Sequence, residues 1–373
     1  MIPGVHRIIP FSVWSKALLL ACLVASSVSC LARGRGEPST AATSSSAAPA
    51  GSAQARLESA SPPRTGDTAE GTLNETARRE VITELARRID AEYIDPSVGT
   101  TLVALLEQRL ETNAYERLSN PDALAQQLTR DLQAASGDRH LNLFWSAEPI
   151  PPPLGDSPPP EKLEPLKKWT GGVRQLEVLD GNIGYMKLVG VGARPASEEA
   201  IAAAFAFLHY TDALIIDNRA NTGGDPRTVM LYLSYLVDRP PFVVTRKVGR
   251  DGAVLEELGT TEISKFRYPS TKPVYVLTSS GTFSAGAGMA YQLRLLGRAE
   301  IIGEESERGT GYPRAIGVGH GVYAWIPYAR SVSALSATAP PNNRVKPDIE
   351  VAAQYALEEA LRAARQRLRA PGE

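Results

Sequence analysis

The chain has 373 residues, and its 40 Lys and Arg are balanced by 41 Asp and Glu, giving a formal net charge of −1. This balance provides no basic field of the kind that nucleic-acid binding requires, so nucleic acid is excluded as an expected partner. Both cysteines fall within the first 30 residues, which excludes a disulfide or a cysteine-based zinc site in the body of the protein. We expect no metal and no organic cofactor.

Residues 1–30 begin with a basic segment and continue into an uncharged apolar stretch that ends in small residues. This is the pattern of an export signal, and the stretch is short for a membrane span. Its end, S-V-S-C, resembles a bacterial lipobox, in which Cys30 becomes the lipidated N-terminus. Ser27 stands where that motif usually has Leu, so an ordinary cleaved signal is the alternative. We expect an exported protein of the bacterial envelope or periplasm, with lipid attachment at Cys30 providing a membrane anchor.

Residues 31–71 are rich in Ser, Ala, Gly, Pro and Thr and have no apolar periodicity. Such a segment cannot bury enough surface to offset the entropy of ordering it. The sequence therefore predicts a disordered tether between the export signal and the folded part.

Residues 72–148 are predicted to form a helical subdomain that leads to a turn carrying His140. Apolar residues recur at helical spacing in two runs, over about 74–93 and about 102–110. A third run follows Asn120, a suitable N-cap, with Pro121 at the first helical position.

The next segment, 149–168, is proline-dense and predicts an exposed, extended connection. Beyond it, strands and helices alternate through residues 169–365, with helices expected over about 197–209, 226–237 and 284–296. This alternation predicts an α/β domain with a parallel or mixed sheet. Catalytic groups in such sheets usually lie at the carboxyl ends of strands.

Three segments have residue types suited to acyl transfer. Ser284 follows a buried strand and begins a helix, where backbone N–H groups can stabilise an oxyanion, although serine at this location often only caps the helix. Gly223 and Gly224 can present amides to a developing negative charge, or can form an ordinary strand-to-helix turn. His140 can act as a general base or be structural.

The motifs Y-I-D-P, D-R-H-L, G-N-I-G-Y, I-I-D-N-R-A-N-T-G-G, T-S-S-G-T-F-S-A-G, R-A-E-I-I-G-E and V-K-P-D-I-E-V occur in this order. The set resembles the tail-specific or C-terminal processing serine proteases, and within them the branch that includes the interphotoreceptor retinoid-binding protein repeats and the tricorn protease core. The resemblance runs from about residue 75 to about 355. It implies a helical subdomain followed by a crotonase-like α/β catalytic domain of ββα type with a mixed sheet.

By that resemblance, Ser284 matches the family nucleophile and His140 matches the histidine that serves as general base in the tricorn-like branch. One of Gly223 and Gly224, with Gly224 favoured, would share an oxyanion hole with the amide of Ala285. The other main branch uses a lysine after the nucleophile's helix. This chain has no lysine from residue 285 to 345, which argues against a Ser/Lys dyad.

The acid that orients the histidine is missing from its usual place, because Pro341 or Asn342 stands where the tricorn-like branch often has glutamate. Glu304, Glu305 or Asp138 can substitute, and each can instead be a solvated or loop-capping carboxylate. Beyond the export signal, which contains His6, two other histidines remain: His320 is a fallback base and His209 is expected to be structural.

These observations predict an exported serine-type peptidase that cleaves polypeptide through an acyl-enzyme on Ser284, with His140 as general base. The alternative is a catalytically weak or inactive cleft protein that binds hydrophobic ligands or peptides in the cell envelope. A third reading is an envelope scaffold in which the anchor and tether matter most. The sequence makes no prediction of the oligomeric state.

Overall fold

The computed structural model describes residues 72–150, 159–239, 241–307, 309, 311–336 and 344–369. The predicted export signal, Cys30 and the tether all precede residue 72 and lie outside the described residues. Among the helices of the described part, none has the length and apolar character needed to cross a bilayer.

The helices are α1 (Glu75–Glu92), α2 (Pro96–Glu111), α3 (Pro121–Ser136), α4 (Pro160–Lys167), α5 (Arg194–Leu208), α6 (Pro226–Leu236), α7 (Ala285–Leu295) and α8 (Ala356–Arg369). The strands are β1 (Asn142–Trp145), β2 (Val173–Leu179), β3 (Ile183–Leu188), β4 (Ala213–Asp217), β5 (Val243–Gly249), β6 (Val254–Gly259), β7 (Val274–Thr278), β8 (Glu300–Gly303), β9 (Gly311–Gly319), β10 (Val322–Ser333) and β11 (Ile349–Glu350).

The first three helices begin where side-chain caps are available. Asn74, Asp95 and Asn120 accept hydrogen bonds from N–H groups of the first turns, and proline occupies the first turn of α2 and α3. Helix α3 ends at Gly137, whose φ of 65° is a conformation that glycine adopts without strain. This reversal turns the chain toward β1 and carries His140 with it.

The prediction of an extended connection over 149–168 is wrong in its second half, where the chain forms α4. Pro160 starts this helix, and a proline in the first turn needs no N–H partner and already has a helical φ. A run of prolines usually indicates extended chain, so the sequence pattern did not indicate this helix.

A six-stranded mixed sheet has the order β11-β8-β7-β4-β3-β2, in which only β2 runs antiparallel to its neighbour. Helices cover both faces. In β4, Leu214 and Ile216 pack toward α5, α6 and α7, whereas Ala213 and Ile215 pack toward α8. The predicted order, a helical N-terminal region followed by a mixed α/β domain, is confirmed.

A second, antiparallel sheet has the order β1-β10-β5-β6, with β9 also paired to β10. Its β9 and β10 contribute Val318, Val322, Ala324 and Ile326 to one apolar core with helices α1, α2 and α3. Because β1 pairs with β10, the chain just after His140 is fastened to the C-terminal half of the molecule. The helical region and the α/β region therefore meet across this sheet.

Candidate active site

Ser284 stands at the junction between the loop after β7 and the start of α7. Its backbone has φ 51° and ψ −128°, and its side chain makes no capping hydrogen bond to the helix. Positive φ is uncommon for a residue with a Cβ and costs on the order of 1–3 kcal/mol. The helix-cap reading of Ser284 is therefore wrong, and the hydroxyl is available to other partners.

The imidazole of His140 is the partner of that hydroxyl. Its Nε2 lies 3.0 Å from Ser284 Oγ, although the two residues are 144 positions apart in the sequence. The ring is buried, with its centroid 4.4 Å from that of Phe283. On another side, a Cβ built on Gly311 would come within 3.1 Å of His140 Nδ1, so the strand that begins there closely confines the ring.

The other ring nitrogen of His140 faces Asp138. Asp138 Oδ1 lies 2.8 Å from Nδ1 and also accepts the His140 backbone N–H, while Tyr93 donates its hydroxyl to Oδ2. Burial raises the pKa of Asp138, but the hydrogen bonds from His140 and Tyr93 together outweigh it and hold that pKa below its usual range. An ionised carboxylate at this place keeps the proton on Nδ1, which leaves Nε2 to accept the serine proton.

The other carboxylates considered as orienting groups lie elsewhere. Glu304 accepts hydrogen bonds from the backbone N–H groups of Ser280 and Ala353, so it caps loops, which was its alternative reading. Glu305 follows it, and neither glutamate is among the described residues that line the cavity beside Ser284. Of the three candidates, the structure places Asp138 against His140.

The two glycines of the 223–224 turn differ in what their amides do. Gly223, the less favoured of the two candidates, donates its N–H to Asn221 Oδ1 at 2.9 Å, so this amide is not free for an oxyanion. Gly224 has φ 141°, and a Cβ there would lie 1.9 Å from Val191 O, so only glycine fits. Within the described part of the chain, no group accepts the N–H of Gly224 or of Ala285, and both residues line the cavity.

A buried amide network, which sequence reasoning missed, holds this turn against α7. Asn221 donates its Nδ2 to Asn218 Oδ1 at 2.7 Å, and Asn218 donates its own Nδ2 to the Gly286 carbonyl at 2.8 Å. Phe283 N–H donates to the Asn221 carbonyl. The signal was the pair of asparagines in N-R-A-N-T-G-G, but asparagine before glycine usually indicates only a turn.

His320 and His209 lie outside the site. His320 Nε2 is 2.7 Å from Glu80 Oε2 at the surface, so His320 is not a fallback base for Ser284. The ring of His209 packs edge-on against Tyr210 and Phe266, in line with the expected structural role.

A cavity of about 480 Å³ opens beside Ser284, between α6, α7 and the antiparallel sheet. Its walls include the apolar side chains of Val229, Met230, Phe283 and Trp325. Arg139 is the only charged side chain that lines it among the residues described, and its guanidinium carbon lies 5.1 Å from the Phe283 ring centroid. This volume falls within the range of ligand-binding cavities, about 300–1,000 Å³.

Comparison with known families adds to this geometry. The model of peptidase family S41 matches residues 182–351, and the model of the N-terminal domain of peptidase S41 in eukaryotic IRBP matches residues 73–167. The chain belongs to peptidase family S41. The resemblance to the C-terminal processing proteases is thereby confirmed.

Among solved structures, one with a TM-score above 0.5 shows a similar fold. A candidate peptidase from Parabacteroides merdae ATCC 43184 is 19% identical, with 79% of this chain and 98% of that chain covered and a TM-score of 0.54. A lipoprotein from Streptococcus agalactiae is 14% identical over 79% and 98% of the two chains, with a TM-score of 0.49. The photosystem II D1 C-terminal processing protease is 16% identical over 77% and 97%, with a TM-score of 0.46.

Proposed function

We propose that this chain is a serine-type peptidase that hydrolyses polypeptide through an acyl-enzyme on Ser284. His140 acts as general base, Asp138 orients it, and the amides of Gly224 and Ala285 bind the oxyanion. The single observation that carries the proposal is the line of contacts from Asp138 through His140 to Ser284, at 2.8 and 3.0 Å. Those distances are the ones that a nucleophile, its base and an orienting acid require.

The proposed reaction begins when Ser284 Oγ attacks the scissile carbonyl and His140 Nε2 takes the hydroxyl proton. The carbonyl oxygen becomes an oxyanion, which receives hydrogen bonds from the N–H groups of Gly224 and Ala285. Collapse of this intermediate breaks the C–N bond, and His140 returns its proton to the leaving amine. Water then attacks the ester with the same base, releasing the acid and restoring Ser284.

Electrostatics favour this direction of proton transfer. When His140 takes the serine proton it becomes a cation, and the ionised Asp138 beside Nδ1 stabilises that cation. The oxyanion forms at the N-terminal end of α7, where the helix dipole and unpaired N–H groups favour negative charge. Both developing charges therefore meet groups of opposite sign.

The alternative of an inactive cleft protein was motivated by the missing glutamate near Pro341. Asp138 provides an acid against His140 from a different part of the chain, which weakens that reason. A pure binding protein also has no need for a strained serine whose hydroxyl meets an imidazole. These points favour the peptidase.

Labelling with a fluorophosphonate probe tests the proposal. The full chain is expected to react at Ser284, to lose all labelling in Ser284→Ala and to react at least 100-fold more slowly in His140→Ala, because the probe needs a deprotonated nucleophile. Ser270→Ala, which removes the hydroxyl of an exposed loop serine that does not line the cavity, serves as the matched control. A folded wild-type protein that stays unlabelled would instead support the cleft-binding alternative.

We also propose that the protein is exported to the bacterial envelope and anchored through lipid on Cys30. The support is the sequence of residues 1–30 and the Ser- and Ala-rich segment that follows. In a bacterial host, the full chain should partition with membranes, and Cys30→Ala should release it into the soluble fraction. A soluble wild-type protein with a cleaved signal would contradict the anchor and leave export intact.

A further inference from the structure

The cavity continues from Ser284 along one face of α7. Ser284, Gly288 and Gln292 follow each other at four-residue intervals, so they share a face of the helix, and all three line the cavity. Eight residues of helix rise about 12 Å. Gln292 therefore stands at the far end of a channel that starts at the nucleophile.

The middle of this channel is open because residue 288 is glycine. A Cβ built on Gly288 meets no atom within 4 Å, unlike one on the neighbouring Gly286, which would come within 2.8 Å of Asn221. Gly288 is also within a helix, where glycine is about 1 kcal/mol less favourable than alanine. The space over Gly288 is the path by which a side chain reaches Gln292.

The side chain of Gln292 presents an unused donor to this space. Gln292 is only 4% exposed, and its Oε1 accepts a hydrogen bond from Ser333 Oγ at 3.0 Å, which turns Nε2 the other way. No residue that the structure describes accepts a hydrogen bond from this Nε2. This Nε2 is therefore available to donate a hydrogen bond to an occupant of the cavity.

A hydroxyl acceptor lies at the same end of the cavity. Thr245 Oγ1 is 3.0 Å from the Val332 carbonyl and 2.7 Å from Ser331 Oγ. A carbonyl can only accept, so the one hydroxyl hydrogen of Thr245 goes to Val332 and Ser331 donates to Thr245. Ser331 also shares a side-chain hydrogen bond with Tyr312, which takes one lone pair of Ser331 Oγ and leaves the other to accept a hydrogen bond from an occupant of the cavity.

We propose that this end of the cavity selects glutamine as the residue whose carbonyl Ser284 attacks. A carboxamide accepts from Gln292 Nε2 and donates to Ser331 Oγ, matching one donor and one acceptor at once. Among the described residues that line the cavity there is no carboxylate to bind a basic side chain. The only charged one, Arg139, lies against Phe283 beside the nucleophile, so an acidic side chain finds no cation next to Gln292.

The length of the channel distinguishes glutamine from shorter amides. Helix side chains lean toward the N-terminus, so the Gln292 side chain leans back toward Gly288. Glutamine carries its amide one methylene group further from the backbone than asparagine does, and so reaches further along α7 from Ser284.

The inference rests on the proposed function, and its test separates the two. Peptidyl phosphonate probes that differ only in the side chain next to phosphorus, carrying glutamine, leucine, lysine or glutamate, report which side chain the cavity accepts. In wild type, the glutamine probe should modify Ser284 at least 10-fold faster than the leucine probe. In Gln292→Leu the rate with the glutamine probe should fall 10- to 100-fold, because the amide of the probe loses its hydrogen-bond partner. The rate with the leucine probe should rise.

Two further variants give the controls. Gln175→Leu makes the same substitution on the exposed edge strand β2 and should leave all four rates unchanged. Gly288→Leu fills the open channel and should block the glutamine and leucine probes while a small fluorophosphonate still labels Ser284.

Equal rates for glutamine and leucine probes, a preference for leucine, or an unchanged glutamine preference in Gln292→Leu would overturn the inference. Failure of all four probes while the fluorophosphonate still labels Ser284 would overturn it too. If the fluorophosphonate itself does not react, the proposed function fails instead.

Discussion

Ser284 adopts an unfavourable backbone conformation that leaves its hydroxyl free of the helix. Its positive φ costs on the order of 1–3 kcal/mol relative to an ordinary backbone conformation. A serine that simply capped α7 would not carry this cost. Gly223 makes the strained turn possible, because a Cβ on Gly223 would come within 2.5 Å of Ser284 Cβ. Neighbouring residues thus hold a conformation that serine alone would avoid.

Asp138→Asn tests the orienting role of the carboxylate. The amide is close in shape, but it can offer N–H instead of an acceptor to Nδ1 and thereby favours the wrong imidazole tautomer. We expect kcat for peptide or ester hydrolysis to fall by about 10²–10⁴-fold with KM little changed. Tyr93→Phe removes the hydrogen bond to Oδ2 and leaves the carboxylate in place, so it should cost about 10-fold or less. Equal activity of Asp138→Asn and wild type would contradict the role.

At this scale the sequence and the family resemblance predicted Ser284 and His140 as a nucleophile and its base, and their side chains lie in contact. Ser284 and His140 stood out because each follows or precedes a strand at a polar turn. Asp138 was one of three carboxylates that the sequence could not separate. The shape of the turn after Gly137 decides which carboxylate contacts His140 Nδ1. A hydrogen bond between residues two positions apart produces no repeating pattern in the sequence, so the sequence does not reveal it.

At the scale of elements, strand β9 is a wall of the site. Gly311 begins this strand beside His140, and the absence of a side chain lets the backbone approach the imidazole. Helix α1 supports the opposite side through the hydroxyl of Tyr93, the residue at its C-terminal end. The imidazole is therefore positioned by elements from the N-terminal helical region and from the C-terminal half of the described chain.

Gly311→Ala is expected to disturb the histidine without unfolding the protein. The new Cβ would lie 3.1 Å from Nδ1, a tighter contact than side chains normally make, so the ring must shift away from Ser284 or Asp138. The rate of Ser284 labelling should fall about 10-fold or more at an unchanged melting temperature. Gly317→Ala in the same strand is the control, because its Cβ would meet Tyr323 at an ordinary 3.6 Å. Equal rates in both variants would contradict this role of β9.

The elements themselves were predicted unevenly. Helices α1, α2 and α3 and the parallel strands were visible, because a 3.6-residue period and short apolar runs between turn residues are strong local signals. The antiparallel sheet was largely missed. Strand β9 contains Pro313 and two glycines besides Gly311, and β6 exposes Val254 and Leu255, so neither strand shows a clean alternation of buried and exposed residues.

At the scale of the whole molecule, a buried ion pair joins the mixed sheet to the C-terminal segment. Asp217 at the end of β4 pairs with Arg219 at 2.6 Å and accepts the hydroxyl of Tyr185, and Arg219 donates to the Ala353 carbonyl. Burial raises the pKa of Asp217, but the hydrogen bonds from Arg219 and Tyr185 outweigh it and hold that pKa below its usual range. The pair therefore contributes to stability while Asp217 is ionised.

Acid should remove this contribution. Because the folded pKa of Asp217 lies below the unfolded one, near 3.9, the stabilisation is complete above about pH 4 and is lost as the pH falls through the folded pKa. Asp217→Asn should be less stable than wild type at pH 7, and the difference should shrink below pH 4. Urea unfolding of both proteins at pH 7 and pH 3 measures it. A difference that does not depend on pH would contradict the assignment.

The overall arrangement could be predicted only as far as the order of its parts. Alternation of strands and helices after residue 169 indicated the α/β layer, whereas the sheet that joins the two halves needs pairings between β1 and β10, about 180 residues apart. Such long-range pairing leaves little trace in one sequence. The cavity along α7 could not be predicted either. Gly288 and Gln292 can be recognised as part of its lining only when the structure shows that Ser284 faces the same cavity.

The central claim is that Ser284, activated by His140 and Asp138, forms an acyl-enzyme. Stopped-flow hydrolysis of an activated p-nitrophenyl ester tests it most directly. The account predicts a burst of p-nitrophenol approaching one equivalent per chain in wild type, with the acyl group found on Ser284 by mass spectrometry, and no burst in Ser284→Ala. A folded wild-type protein that hydrolyses no ester, or acylates at another residue, would contradict it.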